Sequence, residues 1–148
     1  MQPTITMTET PEPHVREAIV GPLIVFNNSR ASQPEDYRPV VIILSDPDTG
    51  EIIGGLWGET NFAHLHVDLL FAPETLRGFG LGRQMLLRAE QEAKTRGCRG
   101  AWLDTYSFQA RGFYERLGTP YLAPLTTTRR VRVASFCIKP LSRRTTIN

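Results

Sequence analysis

Between Leu76 and Arg83 the chain reads Leu-Arg-Gly-Phe-Gly-Leu-Gly-Arg, with glycine at 78, 80 and 82. Glycine lets a backbone approach a ligand closely and adopt conformations closed to other residues. Leu81, Met85, Leu86, Ala89 and Ala93 then recur at helical spacing. The loop therefore opens a helix whose free N–H groups and positive dipole end point back into it. Together they predict an anion seat suited to a phosphate or diphosphate, with Arg77 and Arg83 adding charge at its rim. A second group of chemistry-bearing residues lies just upstream, in a strand predicted over Phe62 to Phe71. Strand alternation puts Phe62, His64, His66, Asp68 and Leu70 on one face and Ala63, Leu65, Val67, Leu69 and Phe71 on the other. Three ionisable residues on one face predict a polar cleft rather than core. A metal site built from His64, His66 and Asp68 is the weaker reading, because its ligands all lie along one strand with no fourth partner.

Two common phosphate-binding motifs do not fit. A nucleotide P-loop needs Lys followed by Ser or Thr after its last glycine, and here Gly82 precedes Arg83-Gln84. The dinucleotide fingerprint needs G-x-G-x-x-G directly after a strand in a βαβ unit. Here the spacing is G-x-G-x-G, the five residues Pro73 to Arg77 intervene, and the strands before it read as antiparallel.

The elements that must position these residues follow from pattern. A first strand is predicted around His14 to Val20, interrupted by Gly21-Pro22, with a short helix over Leu23 to Phe26. Val40 to Leu44 is β-branched and apolar, as a strand requires. Asp46-Pro47-Asp48-Thr49-Gly50 is a turn by its chemistry, and Glu51 to Trp57 is the returning strand. After the long helix, Arg96 sits in its last turn and Gly97 ends it; the i,i+4 pairs Arg88–Glu92 and Glu90–Lys94 support its outer face. Gly100 to Asp104 is a short strand. Ser107 is placed to cap a second helix that buries Ala110, Phe113, Tyr114 and Leu117 and ends at Gly118. Pro120 to Leu125 and Val131 to Lys139 are two final strands. The fold class is α+β, a mixed and mostly antiparallel sheet flanked by helices in a single domain.

Composition bounds the function classes. The 148 residues are 41% hydrophobic and 22% charged, ordinary for one globular domain that needs no metal or disulfide staple. A net charge of +2 is too small to predict a nucleic-acid or membrane partner. The arginines at 129, 130, 132, 143 and 144 read as a solvated face and a frayed tail. Cys98 and Cys137 show no metal spacing and read as free thiols in a reducing cytosol. No signal-peptide pattern and no membrane-length apolar run is present, so the expected location is cytoplasmic.

The glycine loop resembles a known family. Arg77-x-x-Gly80-x-Gly82 is similar to the Q/R-x-x-G-x-G/A signature of the GCN5-related N-acetyltransferases (GNAT). Its setting matches too: an apolar strand ending Leu69-Leu70-Phe71, a short link, the loop, then an amphipathic helix. Leu103 to Ala110 and Phe113 to Gly118 resemble the strand and helix that follow in that family. The likeness is strongest from about His64 to Gly118 and implies a domain over 13–141, between a flexible 1–12 and a tail at 142–148.

The resemblance implies an enzyme that transfers an acetyl group from acetyl-coenzyme A directly to an amine of a small molecule or peptide. It assigns the diphosphate to backbone amides of Arg77, Gly78, Phe79, Gly80, Leu81, Gly82 and Arg83. It assigns the pantetheine arm to the strand edge at Leu70, Phe71 and Ala72, where an N–H near Phe71 would also face the oxyanion. Ser107 stands where the family often has an asparagine that contacts pantetheine. Tyr114 matches the tyrosine that protonates the departing thiolate. A general base must free the amine, and Glu59, His66 and Asp68 are its candidates. Trp57, Phe62 and Tyr106 are candidates for the acceptor pocket. No metal, nucleic acid or membrane is expected, and monomer or homodimer is left open. The competing readings are a non-catalytic acyl-coenzyme A-binding regulatory module, which would keep the loop and lose the tyrosine or the base, and a nucleic-acid-binding domain using the C-terminal arginines.

Overall fold

The computed structural model describes residues 2–32, 35–104, 111–117 and 137–141. Ser107, Tyr106, the strand predicted at Pro120 to Leu125 and most of that at Val131 to Lys139 lie outside them. The chain divides into two compact units, Met1–Glu35 and Asp36–Asn148. None of the described helices is long and apolar enough to cross a membrane.

The first unit holds one helix, α1, over Pro13–Arg30. This corrects the predicted strand at His14 to Val20, and the helix predicted over Leu23 to Phe26 is the later part of α1. Proline at the first helical position suits a helix start, since its missing N–H would find no intrahelical partner there. Pro22 lies inside and removes one bond without ending the helix. Ala31 closes it, donating its N–H to the Asn27 carbonyl at 2.7 Å.

Among its described residues the second unit holds a five-stranded sheet in the order β1 (Arg38–Ser45), β2 (Ile52–Asn61), β3 (His64–Phe71), β4 (Gly100–Leu103), β5 (Cys137–Pro140). The first three strands form an antiparallel meander, β4 runs parallel to β3, and β5 returns antiparallel. The predicted α+β, mostly antiparallel architecture is thus observed. The Asp46 turn forms as its chemistry requires: Asp46 Oδ1 accepts the Asp48 and Thr49 N–H groups at 2.8 and 3.0 Å, and Gly50 has φ +75°. Those bonds, Thr49 first, hold the Asp46 carboxyl below its usual value.

The parallel step from β3 to β4 is made by α2 (Leu81–Thr95), whose buried stripe is Met85, Leu86, Ala89, Glu90 and Ala93. Leu56, Leu65, Val67, Ala101 and Leu103 receive it from the sheet. Gly97 (φ +82°) ends the helix as predicted: its N–H reaches the Lys94 carbonyl at 3.0 Å, and that of Cys98 reaches Ala93 at 2.9 Å. The expected Arg88–Glu92 pair is replaced by Arg96–Glu92 at 2.7 Å. Arg96 is the better placed partner because its guanidinium also reaches the carbonyls of Arg38 and Pro39 and the Thr60 hydroxyl, at 3.1–3.2 Å. It fastens the end of α2 to the first two strands.

Phe62 does not begin β3. Phe62 and Ala63 are the two central residues of the β2–β3 hairpin and both have positive φ, 47° and 60°. Two-residue hairpins demand this handedness because it matches strand twist. Asn61 supports the turn, its Oδ1 accepting the Phe62 N–H at 2.9 Å and the Asp36 N–H at 3.2 Å. An L-residue in this region costs on the order of 1 kcal/mol. Ala63→Gly is therefore expected to stabilise the fold by about 0.5–1 kcal/mol, read as a raised urea midpoint at unchanged slope.

Candidate functional site

The site is set by how β2, β3 and β4 pair. Along β2–β3 the register runs Gly58↔Val67 and then Trp57↔Leu69, so Asp68 is one residue too many. This is a β-bulge, which bends the strand and resets its alternation. Before it, Leu65 and Val67 are buried toward α2. After it, Leu70 and Ala72 take the α2 side and pack on the core, while Leu69 and Phe71 are exposed. Leu70 therefore does not share a face with His64 and His66, as uninterrupted alternation predicted. The bulge needs Gly58: a Cβ there would lie 2.2 Å from the His66 carbonyl oxygen.

Beyond the same point β3 and β4 part. Their last paired rung is Val67↔Leu103. Among the described residues, no strand pairs with the β4-facing edge of β3 past Val67. Backbone donors and acceptors seek partners, so this open edge is a place where an extended amide-bearing chain can add as a strand. A cavity of about 1290 Å3 opens along it. Its walls include Asp68, Leu69, Leu70, Phe71 and Ala72 from β3 and its end, Gly78, Gly80, Leu81, Gly82 and Arg83 from the loop and α2, Asp104 after β4, and Phe113 and Tyr114 from α3 (Arg111–Arg116).

At one end of this cavity lies the predicted anion seat. Gly78 and Gly80 have φ +89° and +77°, and Gly80 is the N-cap of α2. Nothing lies within 4 Å of where their Cβ atoms would be, so the loop presents bare backbone. The first bond of α2 joins the Gln84 N–H to the Gly80 carbonyl at 3.0 Å, which leaves the amides of the preceding turn to a ligand. Gly82 is small for a different reason. A Cβ on it would meet the Phe113 ring at 3.2 Å, so it lets α3 close on α2. Arg77 is tied to Glu74 at 3.2 Å and to the Ala72 carbonyl at 3.4 Å, which fixes the approach to the loop. Arg83 lines the cavity and Phe79 does not; its ring is 73% exposed. Ser107 lies outside the described residues.

The other end carries the ionisable groups. Tyr114 lines the cavity and packs on the core, with the Phe113 ring edge-on at 5.1 Å. Glu59 and His66 are cross-strand partners, and Glu59 Oε1 lies 2.8 Å from His66 Nδ1. The imidazole stacks on Trp102, with centroids 3.7 Å apart and 11° between planes. His66 Nε2 is buried and has no hydrogen-bond partner among the described residues. The nearest carboxylate on that side is Asp104, whose Oδ1 is 4.0 Å away. Asp104 is half-exposed and lines the cavity, so it joins the cavity to the His66–Glu59 pair behind it.

Of the four residues expected to do catalysis, the fold unites Glu59 with His66, puts Tyr114 on the cavity wall, and sets Asp68 apart on the bulge. His64 turns to the Phe62 carbonyl, with Nδ1 at 2.9 Å. Sequence reasoning placed Asp104 at a strand end without assigning it a role. The signal was available, because ligands of α/β units collect at the carboxyl ends of parallel strands. Cys98 is buried, and burial pushes its thiol above the usual value, so it stays protonated and unsuited to nucleophilic attack.

Comparison with known proteins meets this geometry. Residues 8–119 match the family model described as the acetyltransferase (GNAT) family. The chain is 38% identical over 112 residues to acetyltransferase Atu2258 of Agrobacterium fabrum (strain C58), a match covering 76% of this chain and 80% of that protein. It is 46% identical over 72 residues to the blasticidin-S acetyltransferase of Streptomyces morookaense, covering 48% of this chain and 53% of that protein. A crystal structure of an acetyltransferase from Agrobacterium tumefaciens superposes with a TM-score of 0.83 at 32% identity, over 93% of this chain and 98% of that one.

The dependence of the bulge on Gly58 can be checked directly. Gly58→Ala drives a methyl into backbone rather than into a flexible side chain, so relief requires the strand to shift. A loss of about 2 kcal/mol or more is expected, with faster amide exchange concentrated at Val67 to Leu69. A variant with wild-type stability and an unchanged exchange pattern would show that the bulge does not need the glycine.

Proposed function

From the premise that the chain belongs to the GNAT acetyltransferase family and is an N-acetyltransferase, we propose that it moves the acetyl group of acetyl-coenzyme A directly to an amine, with His66 and Tyr114 handling the protons. The observation that carries this reading is the forked sheet. One continuous cavity runs from the bare-backbone loop at Gly78 to Gly82, past the unpaired edge of β3, to Tyr114 and Asp104. Each segment suits one part of the donor. The diphosphate belongs at the start of α2, where amides and helix dipole favour negative charge. The pantetheine amides match the open edge at Leu70 to Ala72. The thioester then falls at the fork, within the reach of Tyr114.

In the reaction, the neutral amine nitrogen attacks the thioester carbonyl carbon. A C–N bond forms, and the C–S bond breaks as the tetrahedral intermediate collapses. The amine proton passes by way of Asp104 or one bridging water to His66 Nε2, the buried nitrogen without a partner among the described residues. Glu59, bonded to Nδ1, orients the ring and stabilises the imidazolium. Tyr114 gives its phenolic proton to the thiolate and regains one from solvent. The buried, protonated Cys98 fits transfer without an acyl-enzyme. The acceptor is a small-molecule or peptide amine.

Three substitutions test the assignment by thiol release, with coenzyme A titration as the control. Tyr114→Phe keeps the packed ring and removes only the proton, so kcat should fall about a hundredfold while the coenzyme A Kd stays within about twofold. His66→Gln should lower kcat by a similar factor, and Glu59→Gln by less, since Glu59 acts through the imidazole. Full turnover in Tyr114→Phe with intact binding would remove the tyrosine from the mechanism. Tight coenzyme A binding with no turnover of any amine by the wild type would favour a regulatory module instead.

A further inference from the structure

Strand alternation gives the sheet two faces, and α2 covers one of them. Val40 and Leu56 point to the α2 side and are buried, so Val41 and Trp57, one residue on, take the other. On this second face the strand pairing sets two apolar rows side by side. Val41, Trp57 and Leu69 form one row across β1, β2 and β3, and Ile43, Gly55 and Phe71 form the next. The five side chains are between 44% and 61% exposed. None of the six residues is charged.

At about 100 Å2 apiece, these half-exposed side chains leave roughly 500 Å2 of contiguous apolar surface in water. A patch of that size marks a place where another surface belongs. Two such faces brought together would remove roughly 1,000 Å2 from water before any rim is counted, which reaches what a specific interface needs. The relief of the face matters as much as its area. Trp57 stands at the centre of its row, and Gly55, at the centre of the next, offers no side chain. That low point is built in, because a Cβ on Gly55 would lie 2.3 Å from the Ile42 carbonyl oxygen. Bump and hollow thus sit two residues apart on one strand. A two-fold contact requires this kind of self-complementarity, in which each copy gives what it receives.

We infer that this face is a homodimer interface, on which a second copy of the chain packs sheet to sheet about a two-fold axis. An axis laid across the strands midway between the rows sets Trp57 of each copy over Gly55 of the other. It also sets Val41 against Ile43 and Leu69 against Phe71. Every contact is then mutual, and the assembly closes at two copies with neither apolar face left over. Packed sheets cross at about 30°, so the central contact, Trp57 over Gly55, is the one that the crossing disturbs least. A polyanion or a charged peptide would find no counter-ion in either row. The inference does not rest on the acetyl-transfer reading, and neither falls with the other.

Sedimentation velocity of the full chain over a dilution series tests it. The wild type should run as a dimer at about 50 μM and dissociate on dilution, at about micromolar concentration or below. Trp57→Gln and Leu69→Gln should each weaken association about thirtyfold or more. Leu87→Gln, at an exposed position of α2 on the opposite side of the sheet, should leave it within about twofold. Circular dichroism verifies that each variant is folded, and with two substitutions in the patch one that misfolds leaves the other to decide. A wild type that stays monomeric at the highest concentration would overturn the inference and leave the face to another partner. So would a dimer that neither folded patch variant weakens.

Discussion

Asp68 is an extra residue held between Val67 and Leu69 while β2 passes from Gly58 to Trp57 without one. That mismatch reverses which side chains face α2, so Leu70 and Ala72 complete the core that Leu65 and Val67 began. It coincides with the point where β3 leaves β4. A regular sheet would satisfy every backbone group and leave no room for a ligand. Here, among the described residues, a few backbone groups past Val67 are left without a strand partner along one edge. Gly58 permits the bulge, Arg96 clamps the far end of α2 to β1 and β2, and the fork stays open between two well-fixed parts.

How much of this was legible in the residues depends on whether the signal was local. The glycine loop and the helix behind it were readable because their chemistry is contained in about twenty consecutive residues, from Leu76 to Arg96. The Asp46 turn was readable for the same reason. Helix α1 was misread because Gly21-Pro22 was weighted as a breaker. Ile19, Leu23 and Phe26 in fact recur at helical spacing, and a proline within a helix removes one bond rather than the whole element. The Phe62-Ala63 turn lacked the usual Asn-Gly or Asp-Gly pair, so two ordinary L-residues in a left-handed conformation gave no warning.

The bulge was hidden for a deeper reason. A bulge is a property of two strands, and alternation read along one of them stays in phase by construction. His64, His66 and Asp68 did look like one polar face, and two of them are. Only pairing with β2 shows that His66 meets Glu59, and only the parallel register with β4 brings Asp104 up to Nε2. Residue types along single strands thus say nothing about which of these side chains the fold groups together. The residue passed over, Asp104, follows a strand too short to carry any pattern of its own.

Grouping matters because it assigns the charges. An isolated histidine on a strand is a weak base with no fixed tautomer. With Glu59 on Nδ1 and Trp102 beneath the ring, His66 is held in plane, and its Nε2 has no hydrogen-bond partner among the described residues. The Trp102 stack covers one face of the ring and Glu59 occupies Nδ1, so in the proposed reaction Nε2 is met from the side of Asp104. In the proposed reaction a donor laid along β3 with its diphosphate at Gly80 would deliver its thioester to the fork. The order of the elements in the chain accounts for this convergence. The strand edge, the loop and the helix assigned to the donor in the proposed reaction follow one another directly, and the next strand brings Asp104 to the fork just past the last rung it shares with β3.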